Sequence, residues 1–582
     1  MDEAYLILHS TNYSNSIVLF GNKIVCEGCD FEKIATIHPN RNTTVIINTK
    51  YAYDLELRSE PSNLSSLCQI TSYKFAEHGT YMFHVVEITS DVGACFIKQI
   101  GNPSNYWTPV IVGVIFVVLY IALTQLWHHR YRSQYYNYFL SNILHRQSKH
   151  IGQQTVNQSD EDTIRATAEL PVTNSIHLPN PRKLPKRLRA LDTFRGFSLM
   201  VMIFVNYGGG GYSFFDHSIW NGLTLADLVF PWFAWRMGVS IVLSQRSLRK
   251  KVVRKRSILL KICRRSIILF VFGLSGQVDV TDLKTLRILG VLARLASCYF
   301  FTALIVLLLD KKDNERDVSD STDVKQTLRT ELFNCIFQFW TQWLLVIIIT
   351  TGWLLITFLL HVPNCPTGYL GPGGKHSHGR YWNCTGGAAG YIDRVVLGNS
   401  HLYNDPTCKE IYHTKVPYDP EGILGILTGT LLCYLGVQAG HIFIHCTRTS
   451  RICAYWILSG IICGSLGLIL SHGGHSNSWI PINKNLWSLT FVLILASLAF
   501  FIVTILYLLV DVYRWFTGAP FLWLGMNSIV IYIAHGRFGT SFPVQFLDNN
   551  THVEELAMHL YGSFFWSFVA GFMYYKKVFI AI

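Results

Sequence analysis

Between Arg187 and Phe233 the chain reads RLRALDTFRGFSLMVMIFVNYGGGGYSFFDHSIWNGLTLADLVFPWF, a mostly apolar stretch interrupted by Asp192, Arg195, Asn206, His217, Asn221 and Asp227. Charged and amide side chains are costly inside apolar helices and are kept there mainly for function. Histidine is the side chain best suited to taking a proton near neutral pH, and its ring nitrogen can also attack an electrophile. Gly208–Gly211 lie between Asn206 and His217 and allow the backbone to approach a ligand closely. A lone histidine beside Phe214, Phe215 and Trp220 also fits an aromatic belt at a membrane surface, so residue types alone leave both readings open.

The elements that must position these groups are helices in lipid. Half of the 582 residues are apolar and 15% are charged, against about a quarter charged in a soluble domain. A bilayer core of about 30 Å takes roughly 20 mostly apolar residues per helix. Eleven segments qualify: 107–127, 193–210, 224–244, 258–275, 287–309, 338–360, 422–445, 452–471, 487–510, 519–535 and 562–577. The net charge of +13 does not imply nucleic acid, because the basic residues sit in short runs between apolar segments, as in cytoplasmic loops. Residues 1–105 alternate apolar and polar, as in GTYMFHVVEIT, and predict short strands. The expected fold is a polytopic all-α membrane domain of about 11 transmembrane helices with a small N-terminal β-rich luminal domain. Its parts are the β-rich domain 1–105, a first transmembrane helix 106–127, a mostly disordered cytosolic linker 128–190, and a ten-helix catalytic domain 191–582.

One orientation satisfies both the charges and the glycosylation sequons. With residue 1 in the lumen and the C-terminus in the cytosol, RSLRKKVVRKR (246–256), 310–334 and 445–451 become cytosolic. Loop 361–421 and the sequons at Asn12, Asn42, Asn63, Asn383 and Asn549 become luminal, while Asn157 lies in the cytosol, unused. The opening MDEAYLILHS lacks the pattern of a signal peptide, which leaves a removed leader and an uncleaved start both open. Seven cysteines are luminal: Cys26, Cys29, Cys68, Cys95, Cys365, Cys384 and Cys408. An oxidising lumen favours disulfides, and an odd number leaves one over or paired at a span edge. Cys26-Glu-Gly-Cys29 is read as a local disulfide ahead of a redox motif or half a zinc site.

Several long motifs stand in order along the chain: the 187–233 stretch, CPTGYLGPGG (365–374), NCTGGAAGYIDR (383–394), YDPEGILG (418–425), LGVQAG (435–440), INKNLWSL (482–489) and GMNSIVIYIAHG (525–536). They resemble the heparan-alpha-glucosaminide N-acetyltransferase family from about residue 187 to the end, more loosely in the N-terminal domain and hardly at all in the linker. The resemblance implies transfer of acetyl from cytosolic acetyl-CoA to the terminal glucosamine amine of heparan sulfate, at the lysosomal membrane, by a homodimer without a metal. It makes His217 the active-site residue and Asn206 part of the same site, with Trp220, Asn221 and Asp227 beside them as sugar contacts. Arg236 in FAWRMG departs from the expected apolar pattern and is read as snorkelling toward the cytosol ahead of meeting a CoA phosphate.

The chemistry suits those residues. An unprotonated amine attacks a thioester carbonyl and an oxyanion develops. His217 serves as general base or first takes the acetyl itself, and Asn206 or the Gly208–Gly211 backbone donates to the oxyanion. The charged nucleotide stays near the cytosolic face, where Arg264, Arg265, Arg287, Arg294, Asn527 and His535 are candidate cofactor contacts. Two other classes compete with this one. A secondary transporter should show internal repeats, and none is seen; a glycan receptor would leave buried Asn206, Arg294, Asn527 and His535 without a purpose.

Overall fold

A computed structural model describes residues 1–8, 17–37, 42–59, 66–86, 94–154, 188–275, 282–309, 337–446, 448–476, 478–545 and 551–580. The sequons at Asn12, Asn63, Asn157 and Asn549, and residues 155–187 of the expected linker, lie outside them. Asn42 and Asn383 are exposed.

The N-terminal alternation becomes eight strands: β1 Glu3–Leu8, β2 Ile17–Lys23, β3 Glu32–Ile37, β4 Thr43–Asn48, β5 Tyr53–Ser59, β6 Ser66–Tyr73, β7 Thr80–Val86 and β8 Ala94–Gln99. They form two four-stranded sheets, ordered β4-β1-β7-β8 and β3-β2-β5-β6. In β1, Ala4, Leu6 and Leu8 are fully enclosed while Tyr5 between them is 42% exposed, the period of two that a half-buried strand requires. The Cys68–Cys95 disulfide ties β6 of one sheet to β8 of the other.

The rest of the chain is helical. In order the helices are α1 Trp107–Gln154, α2 Arg189–Asn206, α3 Leu225–Lys250, α4 Lys255–Ser275, α5 Val291–Leu308, α6 Trp340–Leu359, α7 Gly387–Leu397, α8 Lys409–Tyr412, α9 Gly425–His445, α10 Thr449–Leu470, α11 Leu489–Leu506, α12 Phe521–Met526, α13 Ser528–Phe538 and α14 His552–Tyr575. Among the described residues, eight are long and apolar enough to cross a membrane: α1, α3, α5, α6, α9, α10, α11 (with its continuation to Val512) and α14. The protein is a multi-pass membrane protein. Three of the eleven expected spans fall outside that group. Helices α2 and α4 carry Arg189, Asp192 and Arg195, and Lys255, Arg256, Lys261, Arg264 and Arg265. The segment 519–535 is broken at Asn527 (φ −118°, ψ 30°) into α12 and α13.

Two other boundaries differ from expectation. Helix α1 runs on to Gln154, through the first part of the expected linker. Helix α14 begins ten residues before the expected 562, where Thr551 caps it: its hydroxyl accepts from Glu554 N at 3.4 Å and donates to the Glu554 carboxylate at 2.6 Å.

Glycines let the helices nearest the site touch backbone to backbone. A Cβ at Gly196 of α2 would lie 1.7 Å from Phe521 O, and one at Gly436 of α9 would lie 1.8 Å from Trp235 O of α3. Such small-residue contacts replace the hydrophobic drive that lipid removes.

Helix ends gather at two faces. At the β-domain face, Tyr106 packs edge-on against Tyr212 (4.9 Å) and Trp107 stacks on Phe214 (5.7 Å). His552 there lies between Gly210 O and the β-domain carboxylates of Asp2 (3.4 Å) and Glu77 (3.6 Å). At the opposite face His128 Nδ1 is 3.2 Å from the Tyr575 hydroxyl, Asp511 accepts from Arg189 N, and Gln125 accepts from Thr517 N. Helices α1 and α14 therefore run parallel, and α2 runs against them.

Candidate active site

The turn after α2 is made by glycine: Gly208, Gly209, Gly210 and Gly211 all have positive φ, from 56° to 110°. Gly210 N donates to His559 Nδ1 (2.8 Å) and Gly210 O accepts from His552 Nδ1–H (2.9 Å). Cβ atoms at Gly208 and Gly210 would lie 3.0 and 2.9 Å from His559 and Leu556. The run is thus seated against α14; the close approach that needs glycine is to that helix. The chain then passes through Tyr212 and Phe214 and presents His217.

The start of α3 meets it. Thr224 and Asp227 form a capping box at the helix N-terminus. Asp227 Oδ2 accepts from Thr224 N (3.3 Å), Thr224 Oγ1 (3.0 Å) and Ser218 N (3.2 Å), and Oδ1 accepts from His217 Nδ1–H (2.8 Å). The carboxylate is fully enclosed, whereas the His217 side chain is 36% exposed. With Nδ1–H given to Asp227, Nε2 keeps its lone pair on a partly exposed ring, the arrangement of an oriented histidine base. Asp227, expected as a sugar contact, is the residue that orients His217.

A third group comes from loop 481–488. Lys484 Nζ lies 2.8 Å from His217 Nδ1 and 3.5 Å from Asp227 Oδ1. Lysine 484 was not singled out from sequence, although INKNLWSL was among the motifs; it stands 267 positions from His217, and no local pattern links them. Asn483 Nδ2 donates to Asn221 Oδ1, and Asn221 Nδ2 donates to Glu27 of the β domain, both at 3.1 Å. Lys50 pairs with Asp216 at 2.8 Å. The β domain therefore grips the His217 loop on both sides. Trp220 is buried, its indole N–H donating to Leu370 O (2.8 Å), so it anchors loop 361–421.

Asn206 belongs to a second cluster. Its amide lies 3.0 Å from His535 Nε2, whose Nδ1–H donates to Ile531 O (3.2 Å). Tyr207 accepts there from the Trp566 indole N–H (2.6 Å). Among the described residues no hydrogen bond joins Asn206 to His217. Asn527 is enclosed and ties down the tail after α14, donating to Val578 O (2.9 Å) and accepting from Ile580 N (3.0 Å).

The arginines separate into two groups. Arg264 and Arg265, with Lys261, Gln245 and Tyr299, line a cavity of about 640 Å³ between α3, α4 and α5. Arg265 also lines a smaller cavity of about 80 Å³ with Arg195, Arg236, Ser528 and Tyr532. Arg236 does not snorkel: it stands 3.6 Å from Asp192 with its side chain 14% exposed. Arg287 and Arg294 lie elsewhere, at the loop 361–421 end. Arg287 donates to both Asp419 oxygens (2.7 and 2.6 Å) and to Glu421 (2.5 Å). Arg294, 1% exposed, donates to Gly422 O (2.8 Å) and covers the Trp487 ring at 4.6 Å. The structure does not bring these two together with Arg264 and Arg265. Nearby, burial pushes the Asp393 carboxyl up to about 7, against the pull of the Ile423 N–H on its Oδ1.

Six of the seven cysteines on this side pair, as Cys26–Cys29, Cys68–Cys95 and Cys365–Cys384, leaving Cys408 free and buried.

No protein-family model matches the chain. Over its whole length the chain is 36% identical to heparan-alpha-glucosaminide N-acetyltransferase of Homo sapiens, an alignment of 597 residues that takes in 100% of this chain and 88% of the human protein. The protein of the same name from Mus musculus is likewise 36% identical, over 598 residues, with the same two shares.

Proposed function

The chain belongs to the heparan-alpha-glucosaminide N-acetyltransferase family and is an acetyltransferase; from that premise we propose that it moves acetyl from cytosolic acetyl-CoA to the terminal glucosamine amine of heparan sulfate in the lysosomal lumen, at His217. The observation that carries this reading is the His217–Asp227 pair at 2.8 Å, on a partly exposed ring beside loops gripped by the β domain.

The amine nitrogen attacks the thioester carbonyl carbon as its proton passes to His217 Nε2. The C–N bond forms, the C–S bond breaks, and the imidazolium returns the proton to the departing thiolate. Asp227 holds Nδ1–H throughout and stabilises the transient positive charge. An acetyl-imidazole route uses the same nitrogen.

The donor's phosphates require cations in a cavity reached from the cytosol. Arg264, Arg265 and Lys261 line a space of about 640 Å³, within the range of small-molecule sites. Arg265 also borders the smaller cavity that Arg195 and Arg236 line. The two-faced sorting of helix ends supports an eleven-crossing topology in which α2, α4 and the α12–α13 pair also span, with the β domain luminal and the tail cytosolic.

His217→Ala should fold and yet lose transfer from acetyl-CoA to a fluorogenic glucosaminide by at least about 10²-fold. Near-normal turnover in that variant overturns the assignment.

A further inference from the structure

Asp227 is fully enclosed, and a buried carboxylate requires a positive partner. Two basic groups reach its Oδ1, His217 Nδ1 at 2.8 Å and Lys484 Nζ at 3.5 Å, and they stand 2.8 Å from each other. One carboxylate balances one positive charge. Two cations at that separation repel, and the local dielectric is far below that of water.

We propose that Lys484 carries that charge and acts as a positioning residue that keeps His217 neutral: with Nδ1–H turned to Asp227, the ammonium lies beside the ring as a charge and not as a hydrogen-bond donor to Nδ1, and Nε2 stays able to accept the amine's proton. This rests on the reading of His217 as the proton acceptor. An Asp–His pair without the lysine stabilises the imidazolium, which has no lone pair to offer. With the ammonium already beside Asp227, protonating the ring brings a second positive charge into contact with the first.

The loop is built to hold the lysine in place. Asn483 Oδ1 accepts from Leu486 N (2.9 Å), Asn483 N donates to Ser488 Oγ (3.1 Å), and Trp487 N donates to Lys484 O (3.0 Å). Trp487 is fully buried with φ of 48°, covered by the Arg294 guanidinium, and its carbonyl accepts from Thr428 Oγ1 (2.8 Å). The Lys484 side chain is only 13% exposed. Among the described residues the other nearby charges have partners: Asp216, next to His217 in the chain, pairs with Lys50, Glu27 of the β domain takes the Asn221 amide, and Glu421, within electrostatic range of Lys484, pairs with Arg287. Among the described residues, Asp227 and Lys484 are the charges in direct contact with the ring.

The test is kcat/KM for acetyl transfer to a fluorogenic glucosaminide between pH 4.5 and 8.5, with purified full-length protein. Wild type, Lys484→Met, Lys484→Gln, Lys484→Arg and His217→Gln are compared, each checked for folding by its melting temperature. Removing the charge should move the acid limb of the profile to higher pH by about one unit. Activity near pH 5 then falls about tenfold while activity near pH 8 is largely kept. Lys484→Arg should stay close to wild type, and Lys484→Gln covers the case in which the methionine variant does not fold. An equal loss at every pH, or no loss, overturns the role given to Lys484, even if His217→Gln is inactive. An active His217→Gln instead overturns the underlying reading of the histidine.

Discussion

A buried carboxylate must find a cation or a proton, and the β-domain face of this protein uses both. Asp419 and Glu421 share the Arg287 guanidinium, and Asp227 sits against Lys484 and His217. Asp393 is 1% exposed; its Oδ1 accepts from Ile423 N, and among the described residues its Oδ2 has no hydrogen-bond partner. It is held as the acid by burial, with its titration raised to about 7. An unfolded aspartate titrates near 3.9. Between those values the folded state holds a proton that the unfolded state has released, so stability is fully present below about 4 and is lost as pH rises through about 7. Thermal unfolding of the wild type should show a higher midpoint at pH 5 than at pH 8, and Asp393→Asn should flatten that difference while keeping the Ile423 bond. Equal slopes in the two proteins would remove Asp393 as its source. Such a carboxyl is not visible in NCTGGAAGYIDR, where Asp393 reads as one half of an Asp–Arg dipeptide. The site shows the same limit. The family resemblance singled out His217, and composition flagged Asp227, but Asp227's role as orienter and the whole of Lys484's placement depend on a fold that brings residues 217, 227 and 484 into contact.

At the scale of elements, the legible helices are those whose apolar run is unbroken. Segments expected at 338–360 and 422–445 appear as Trp340–Leu359 and Gly425–His445. Where a helix packs against polar protein instead of lipid, the hydropathy signal fades. The first turns of α14, HVEELAMHL, bury His552, Leu556 and His559 against the glycine turn and the β domain. Close helix contacts leave a different trace, in glycines. Helices α3 and α9 interlock through Gly238 and Gly436, each of whose Cβ atoms would fall 1.8 Å from the partner's backbone carbonyl. That crossing fixes the N-terminus of α3, with Asp227, relative to the start of α9, whose Thr428 holds the Trp487 carbonyl next to Lys484. No side-chain rotation relieves a clash with backbone, so Gly436→Ala must push the helices apart. It should cost about 1–3 kcal/mol or more, seen as a lower melting temperature with reduced transfer. Gly352→Ala in α6 is the control, since a Cβ there meets nothing within 4 Å, and alanine favours helix over glycine by up to about 1 kcal/mol. Matching losses in the two variants would mean that the α3–α9 contact is looser than its geometry.

For the whole molecule, the proposed function requires two reactants from opposite sides of a membrane to meet at one histidine. The β domain, loop 361–421 and the 481–488 loop converge around His217 at one face. The cavity with Arg264 and Arg265 lies among α3, α4 and α5, and among the described residues Arg265 alone borders both it and the smaller cavity of Arg195 and Arg236. A pantetheine arm is shorter than an apolar core of roughly 30 Å, so the nucleotide has to enter the protein from the cytosolic side for the thioester to reach His217. Arg265 stands where that path would narrow. Arg265→Ala should raise the KM for acetyl-CoA about tenfold or more and leave that for the glucosaminide nearly unchanged, as loss of donor ground-state binding requires. The sidedness itself is measured in sealed vesicles with the β domain inside. Acetyl-CoA added outside should acetylate glucosaminide trapped inside, while CoA labelled in its nucleotide stays outside, because only the acetyl group crosses. Label entering in step with product would mean that the donor is carried through whole, and a path on which only the acetyl group crosses would then be the wrong account.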